Sequence, residues 1–193
     1  SFESVKYAIE EIAKLNPDYM SVTYGAGGGT SKYTLNFAKD IHEQYNVPTL
    51  AHLTCISSSK ETVDKQISDI VNNKIENVLA LRGDIIENLS GIEKEHQFHH
   101  AVGLIYEIKE NNRNLCIGGA CYPEVHPEST NQKEDIKYLK EKVMAGCEFL
   151  TTQMFFDNNL LYNLEMHFYV INFVDVFNID NNIFNKIQNK LYE

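Results

Sequence analysis

Polar side chains recur at the carboxyl ends of five apolar runs: Thr23 and Tyr24; His52 and Thr54; Arg82 and Asp84; Tyr122, Glu124 and His126; and Gln153. Hydroxyls, an imidazole, a guanidinium, carboxylates and a carboxamide gathered in one place can bind a polar ligand and move protons around it. Taken alone, each has a local explanation. His52 reads as a hydrogen-bonded core histidine, Arg82 and Asp84 as a local ion pair, and "YPEVHPE" as a rigid turn. Helix caps and loop residues explain one or two such ends, but poorly explain five in succession.

Other chemical signals are weaker. "SVTYGAGGGT" (residues 21–30) lacks the Lys-Ser/Thr of a P-loop and fits the dinucleotide fingerprint only loosely. Its glycines read as a tight backbone turn after a strand. The cluster "EKEHQFHH" holds His96, His99 and His100 without a second ligand group at helical spacing, so no metal site is expected there. Cys55, Cys116, Cys121 and Cys147 have no CxxC spacing and read as small core residues of a reduced protein.

The elements that must position these groups follow from periodicity. Val5, Ala8, Ile9, Ile12 and Leu15 form a helical stripe, and Leu35, Ala38, Ile41 and Tyr45 form a second. Ser58 and Glu61 form a capping-box pattern before a helix whose buried stripe is Val63, Ile67, Ile70 and Val71. Ala101, Leu104, Ile105 and Ile108 mark the next helix, and Ile136, Leu139 and Val143 the one after. Between them lie the apolar runs "YMSVTY", "VPTLAHLTCI", "NVLALRGD", "LCIGGACYPEVHPE" and "FLTTQMFFD". Repeated βαβ means parallel strands buried on both faces, which a doubly wound sheet and a β/α barrel both satisfy. Polar groups at every strand's carboxyl end favour the barrel, where those ends open onto one face.

With 193 residues, 43% of them hydrophobic, the chain is expected to fold as one domain. A net charge of −10 with no basic block argues against nucleic-acid and anionic-membrane partners. No apolar run approaches a membrane span and no signal-peptide pattern is present, so a cytoplasmic protein is expected.

"SVTYGAGG", "AHLTCI", "ALRGD", "YPEVHPE" and "TTQMFFD", in this order and spacing, resemble the 5,10-methylenetetrahydrofolate reductase family, flavin-dependent enzymes of one-carbon metabolism. The resemblance runs from residue 4 to about 163. It implies a flavin, FAD rather than FMN, contacted by Thr23, Tyr24, Ala26, His52, Arg82, Gly83, Asp84, Ala120, Tyr122 and His126. The family's "YA" pair in the following helix matches His100 and Ala101, so a histidine replaces its tyrosine. Asp135 and Lys142 match residues at the ribityl and phosphate end. Asp84 also approaches the folate, Thr23 lies near the nicotinamide, and Gln153 matches the glutamine that meets both substrates.

The implied reaction is ping-pong reduction of methylenetetrahydrofolate, with NADH or NADPH as donor and the flavin as relay. A homo-oligomer is a further expectation, and whether an electron-transfer partner subunit replaces the nicotinamide stays open at this point. Opening the folate ring needs a general acid, which the family carries as a glutamate in an N-terminal "SFEFFPP" strand. Two readings of "SFESVKYAI" stay open: Glu3 is that acid at the end of a shortened strand, or Phe2 and Glu3 open the first helix and the catalytic strand lies upstream and is missing.

The implied fold is an α/β (β/α)8 TIM barrel, a single catalytic domain over residues 1–193. It is expected to be incomplete. After "FFDNNLLYNLE" the family continues with about three more βα units of the eight and a last strand of the type "HFYTLN", whereas this chain passes from Glu165 to "MHFYVIN" at once. The chain therefore reads as an ordered subset of a longer protein, closed by a helix through Ile179, Ile183, Ile187 and Leu191. Alternatives are a non-catalytic flavin- or pterin-binding subunit, and a structural barrel fragment that works only with a partner.

Overall fold

The computed structural model describes residues 2–23, 31–56, 58–83 and 98–170. Along them run α1 (Phe2–Ala13), β1 (Met20–Val22), α2 (Ser31–Tyr45), β2 (Thr49–Thr54), α3 (Lys60–Asn72) and β3 (Asn77–Leu81). Then come α4 (Ala101–Asn111), β4 (Cys116–Cys121), α5 (Gln132–Met144), β5 (Phe149–Thr152) and α6 (Asn158–Val170). The strands form one sheet in the order β1-β2-β3-β4-β5, and β1 through β4 pair in parallel. A doubly wound sheet reverses its strand order at a switch point; here every strand lies beside its sequence neighbours, as in a β/α barrel. The fold is therefore α/β, and the five described strands form part of a (β/α)8 TIM barrel.

By internal contacts the chain divides into two units, Ser1–Cys121 with Glu141–Thr151, and Tyr122–Lys140 with Thr152–Glu193. In the first unit, one face of the sheet meets the helices. Ala51, Leu53 and Cys55 from β2 and its end, Val78 and Ala80 from β3, and Ile117 from β4 pack with Val63, Ile67 and Ile70 of α3 and Leu104, Ile105 and Ile108 of α4. Each large aliphatic side chain buried there contributes roughly 1.5–3 kcal/mol. Strand side chains alternate, so Ser21, Leu50, His52, Leu79 and Gly118 belong to the opposite face. That face is the one a barrel turns inward.

The cysteines read as core residues: Cys55, Cys121 and Cys147 are buried, and all four are free thiols. On the outer surface, α3 and α4 are tied by an ion pair between Lys60 and the buried carboxylate of Glu107, to which Asn111 Nδ2 also donates at 2.9 Å.

Several local expectations are corrected. The α1 stripe is helical but not buried: Val5, Ile12 and Leu15 are 43%, 46% and 79% exposed, and Ile9 alone of the stripe packs, against Met20, Ile41 and Val47. Among the described residues α1 leans on α2 beside a three-residue edge strand, which is too little surface to cover it. The helix cap at α3 is Ser59 rather than Ser58, its hydroxyl accepting from Thr62 N at 3.3 Å. Val71, in the last turn of α3, is 36% exposed. The "MHFYV" segment, expected as a strand, continues α6 to Val170. A helix closes its hydrogen bonds locally, whereas a strand needs a neighbour to pair with. The glycine turn at 24–30, part of the "EKEHQFHH" cluster and the closing helix lie outside the described residues.

Candidate functional site

In the first unit, Thr23, His52 and Arg82 stand at or near the carboxyl ends of the adjacent strands β1, β2 and β3. Thr23 is exposed, while His52 and Arg82 are half-buried. On β1, Ser21 pairs with Leu50 in register, so His52 is its diagonal neighbour on the same face. The Ser21 Oγ and His52 Nε2 atoms share a hydrogen bond at 2.5 Å. Burial pushes the His52 imidazole below its ordinary value, which favours the neutral ring.

The β2 and β3 ends stay joined beyond the strands. Ile56 N donates to Arg82 O at 2.8 Å, and Cys55 N donates to it at 3.2 Å. This close approach requires Gly83, whose φ is +88° and where a Cβ would lie 2.9 Å from Ile56 Cγ2. The buried Cys55 thiol sits below, 3.8 Å from Arg82 O and 3.9 Å from His100 O. His100 is the N-cap residue of α4, exposed and without a side-chain cap bond, and the buried Ala101 begins the helix. Tyr24, Ala26 and Asp84 lie outside the described residues.

At the end of β4, Lys142 Nζ donates to Ala120 O at 2.7 Å. The lysine stem passes along Gly119, where a Cβ would touch Lys142 Cδ at 3.5 Å and meet Cys147 Sγ at 3.1 Å. One strand position earlier, Gly118 leaves room for the Phe149 ring.

In the second unit, the "YPEVHPE" turn is a built structure. The Tyr122 and His126 rings meet edge to face, their centroids 4.6 Å apart. The buried Asp135 carboxylate accepts from His126 N at 3.2 Å and from Ser129 Oγ at 3.3 Å. Val125 sits at φ 72°, strained for a β-branched residue. Gln153 follows β5 and is exposed.

Glu3 lies in the first turn of α1 and is exposed. Of the two readings of the N-terminus, the structure has the helical one.

Ser21 and Val125 were not among the sequence candidates. Ser21 was legible in principle, since it precedes Thr23 by the strand period of two. Val125 was not, because a backbone angle leaves no signature in residue type.

Residues 3–187 match the family model described as methylenetetrahydrofolate reductase. The chain is 38% identical over 142 residues to methylenetetrahydrofolate reductase 1 of Schizosaccharomyces pombe, covering 73% of this chain and 24% of that protein. It is 37% identical over 150 residues to 5,10-methylenetetrahydrofolate reductase of Salmonella typhimurium, covering 78% of this chain and 49% of that protein. The chain thus spans about a quarter of one relative and half of the other. Among solved structures, oxaloacetate acetylhydrolase superposes with a TM-score of 0.55 at 14% identity, over 82% of this chain and 58% of that one. That likeness concerns the fold alone.

Proposed function

The chain belongs to the methylenetetrahydrofolate reductase family, and on that premise we propose that it reduces 5,10-methylenetetrahydrofolate to 5-methyltetrahydrofolate, using a flavin and NADH or NADPH in ping-pong order. The observation that carries this reading is that Thr23, His52 and Arg82, from three separate family motifs, stand together at the carboxyl ends of adjacent parallel strands. The donor set suits a flavin: hydroxyl and neutral imidazole for a polar heterocycle, and the Lys142 ammonium for a phosphate tail; the choice of FAD over FMN rests on the family. When bound, the flavin supplies the hydride relay between the two substrates.

The chain's own residues then position and protonate. His52 offers one nitrogen to the heterocycle, and Arg82 and Gly83 shape the wall beside it. Ala120, Tyr122, His126, His100 and Ala101 complete the proposed flavin contacts, with Tyr24, Ala26 and Asp84. Among the described residues Asp135 accepts from His126 N and Ser129 Oγ, and a carboxylate has about four acceptor sites, so it can also receive a ribityl hydroxyl. Gln153 carries both a donor and an acceptor, which lets one side chain serve folate and nicotinamide in turn. Asp84 would stabilise positive charge on the opened folate, whereas Glu3, in the first turn of a helix rather than at a strand end, is not given the acid's role toward the ring nitrogen. We further propose one catalytic domain, working as a cytoplasmic homo-oligomer.

One observation favours a second reading, a flavin- or pterin-binding subunit without catalysis. Glu3 belongs to a helix rather than to a strand end. Anaerobic spectroscopy separates the two. Purified protein should bind FAD, bleach with NADH or NADPH, and recover its colour on adding methylenetetrahydrofolate. Bleaching without recovery supports the binding subunit, and failure to bind FAD overturns the enzyme and the flavin-binding form of the subunit.

A further inference from the structure

We infer that Ser21 is a positioning residue for His52: its hydroxyl holds the imidazole at Nε2 and leaves Nδ1 as the nitrogen that a ligand on this face of the sheet meets. The ligand part of the inference rests on the flavin reading above; the Ser21–His52 part does not.

The register sets up the pair. Ser21 lies opposite Leu50, and His52 is two residues further along β2, so both side chains rise from one face within reach of each other. The 2.5 Å separation of Oγ and Nε2 is at the short end for a hydrogen bond. A structural purpose explains Ser21 poorly. It is exposed, it lies between Met20 and Val22 in a three-residue strand, and it contributes nothing to the apolar core on the other face. Serine is also a weak strand former compared with the β-branched residues such a site accepts.

The chemistry explains it better. A neutral imidazole has one N–H and one lone pair, and the partner of one nitrogen decides what the other can offer. A hydroxyl can donate or accept, so Ser21 satisfies Nε2 in either tautomer and fixes the ring orientation in both. Alanine at this position removes that constraint while leaving the strand and the core intact.

The test uses the full chain with 15N-labelled histidine as wild type, Ser21→Ala and Ser21→Thr, with His52→Asn to assign the ring signals. Without ligand, the His52 Nε2 resonance should move in Ser21→Ala and stay in place in Ser21→Thr, with melting temperatures within about 4 °C of one another, the cost of one hydrogen bond. On FAD titration the wild-type Nδ1 resonance should respond. Ser21→Ala should bind FAD about fivefold more weakly, the loss of one hydrogen bond's worth of order, and Ser21→Thr should recover it. Ring signals indifferent to Ser21→Ala overturn the positioning role. A response at Nε2 instead of Nδ1, or unchanged FAD affinity in Ser21→Ala, overturns its use toward the ligand. If wild type binds no FAD, the flavin reading and the ligand part fall together, and the ligand-free spectra still decide whether Ser21 holds His52.

Discussion

Lys142 donates to the carbonyl of Ala120 at 2.7 Å, its stem lying along Gly119 at the end of β4. The carbonyl is a neutral partner for a half-buried ammonium. Pairing with a phosphate would suit that cation well. Lys142→Met keeps the stem and removes the charge. It should therefore leave the thermal midpoint nearly unchanged and weaken FAD binding about 10- to 100-fold, the range of a charge-assisted hydrogen bond. Fluorescence titration of the two proteins measures this directly, and equal affinities would remove Lys142 from the site.

A Cβ on Gly118 would lie 2.3 Å from the nearest atom of the Phe149 ring, inside any permitted contact. Gly118→Ala should therefore destabilise the protein by roughly 1–3 kcal/mol through overpacking. The double variant Gly118→Ala with Phe149→Leu should recover part of that loss. Urea denaturation of the four proteins in the cycle reads the coupling, and purely additive effects would mean that the ring and the glycine do not share the space.

The strands, the helices and the barrel class were legible because each leaves a periodic trace. Ala101, Leu104, Ile105 and Ile108 repeat at helical spacing and all four are buried. Burial itself was legible only where neighbours exist. The α1 stripe has the same pattern, yet Leu15 is largely exposed, because among the described residues β1 is the edge strand beside it. The polar groups Thr23, His52 and Arg82 announced themselves by type at strand ends. The Ser21–His52 bond and the Asp135 clasp on the 126–129 turn did not, since both depend on register or on a turn that residue type alone does not encode.

Burial pushes the thiols of Cys55 and Cys147 up to about 11 from an ordinary 9.0. A raised folded-state value means that the stabilising neutral form is fully present below pH 9.0 and is lost as pH rises toward about 11. Wild type should therefore lose stability across that window more steeply than Cys55→Ala, once each is normalised to its own value at pH 8. Parallel curves would show that the thiol does not contribute. Native protein at pH 8 should also leave both thiols unmodified by a water-soluble disulfide reagent until it is unfolded.

Val125 holds a φ of 72° inside the turn that carries Tyr122 and His126. The left-handed region costs a β-branched residue about 1–2 kcal/mol, and asparagine adopts it more readily. Val125→Asn should raise stability by about 1 kcal/mol. If the strained turn serves the proposed flavin contact of His126, the same variant should bind FAD less tightly. A variant that is more stable with unaltered affinity would confine the strain to a packing role.

Gln153 offers the sharpest separation of binding from chemistry, because its proposed partners are the two substrates rather than the flavin. Replacing its carboxamide with a carboxylate removes the donor and adds a charge while keeping the shape. Gln153→Glu should therefore retain FAD with wild-type affinity, since the side chain is exposed beyond the end of β5. Reduction by nicotinamide and reoxidation by methylenetetrahydrofolate can be followed as separate half-reactions in a stopped-flow spectrophotometer. The folate half-reaction should slow by about 10- to 100-fold, the cost of losing a hydrogen bond and placing a charge where a neutral group was needed. The nicotinamide half-reaction should also slow, because the same side chain is proposed to serve both substrates. A change in the folate step alone would limit Gln153 to one substrate, and unchanged rates in both would remove it from the mechanism.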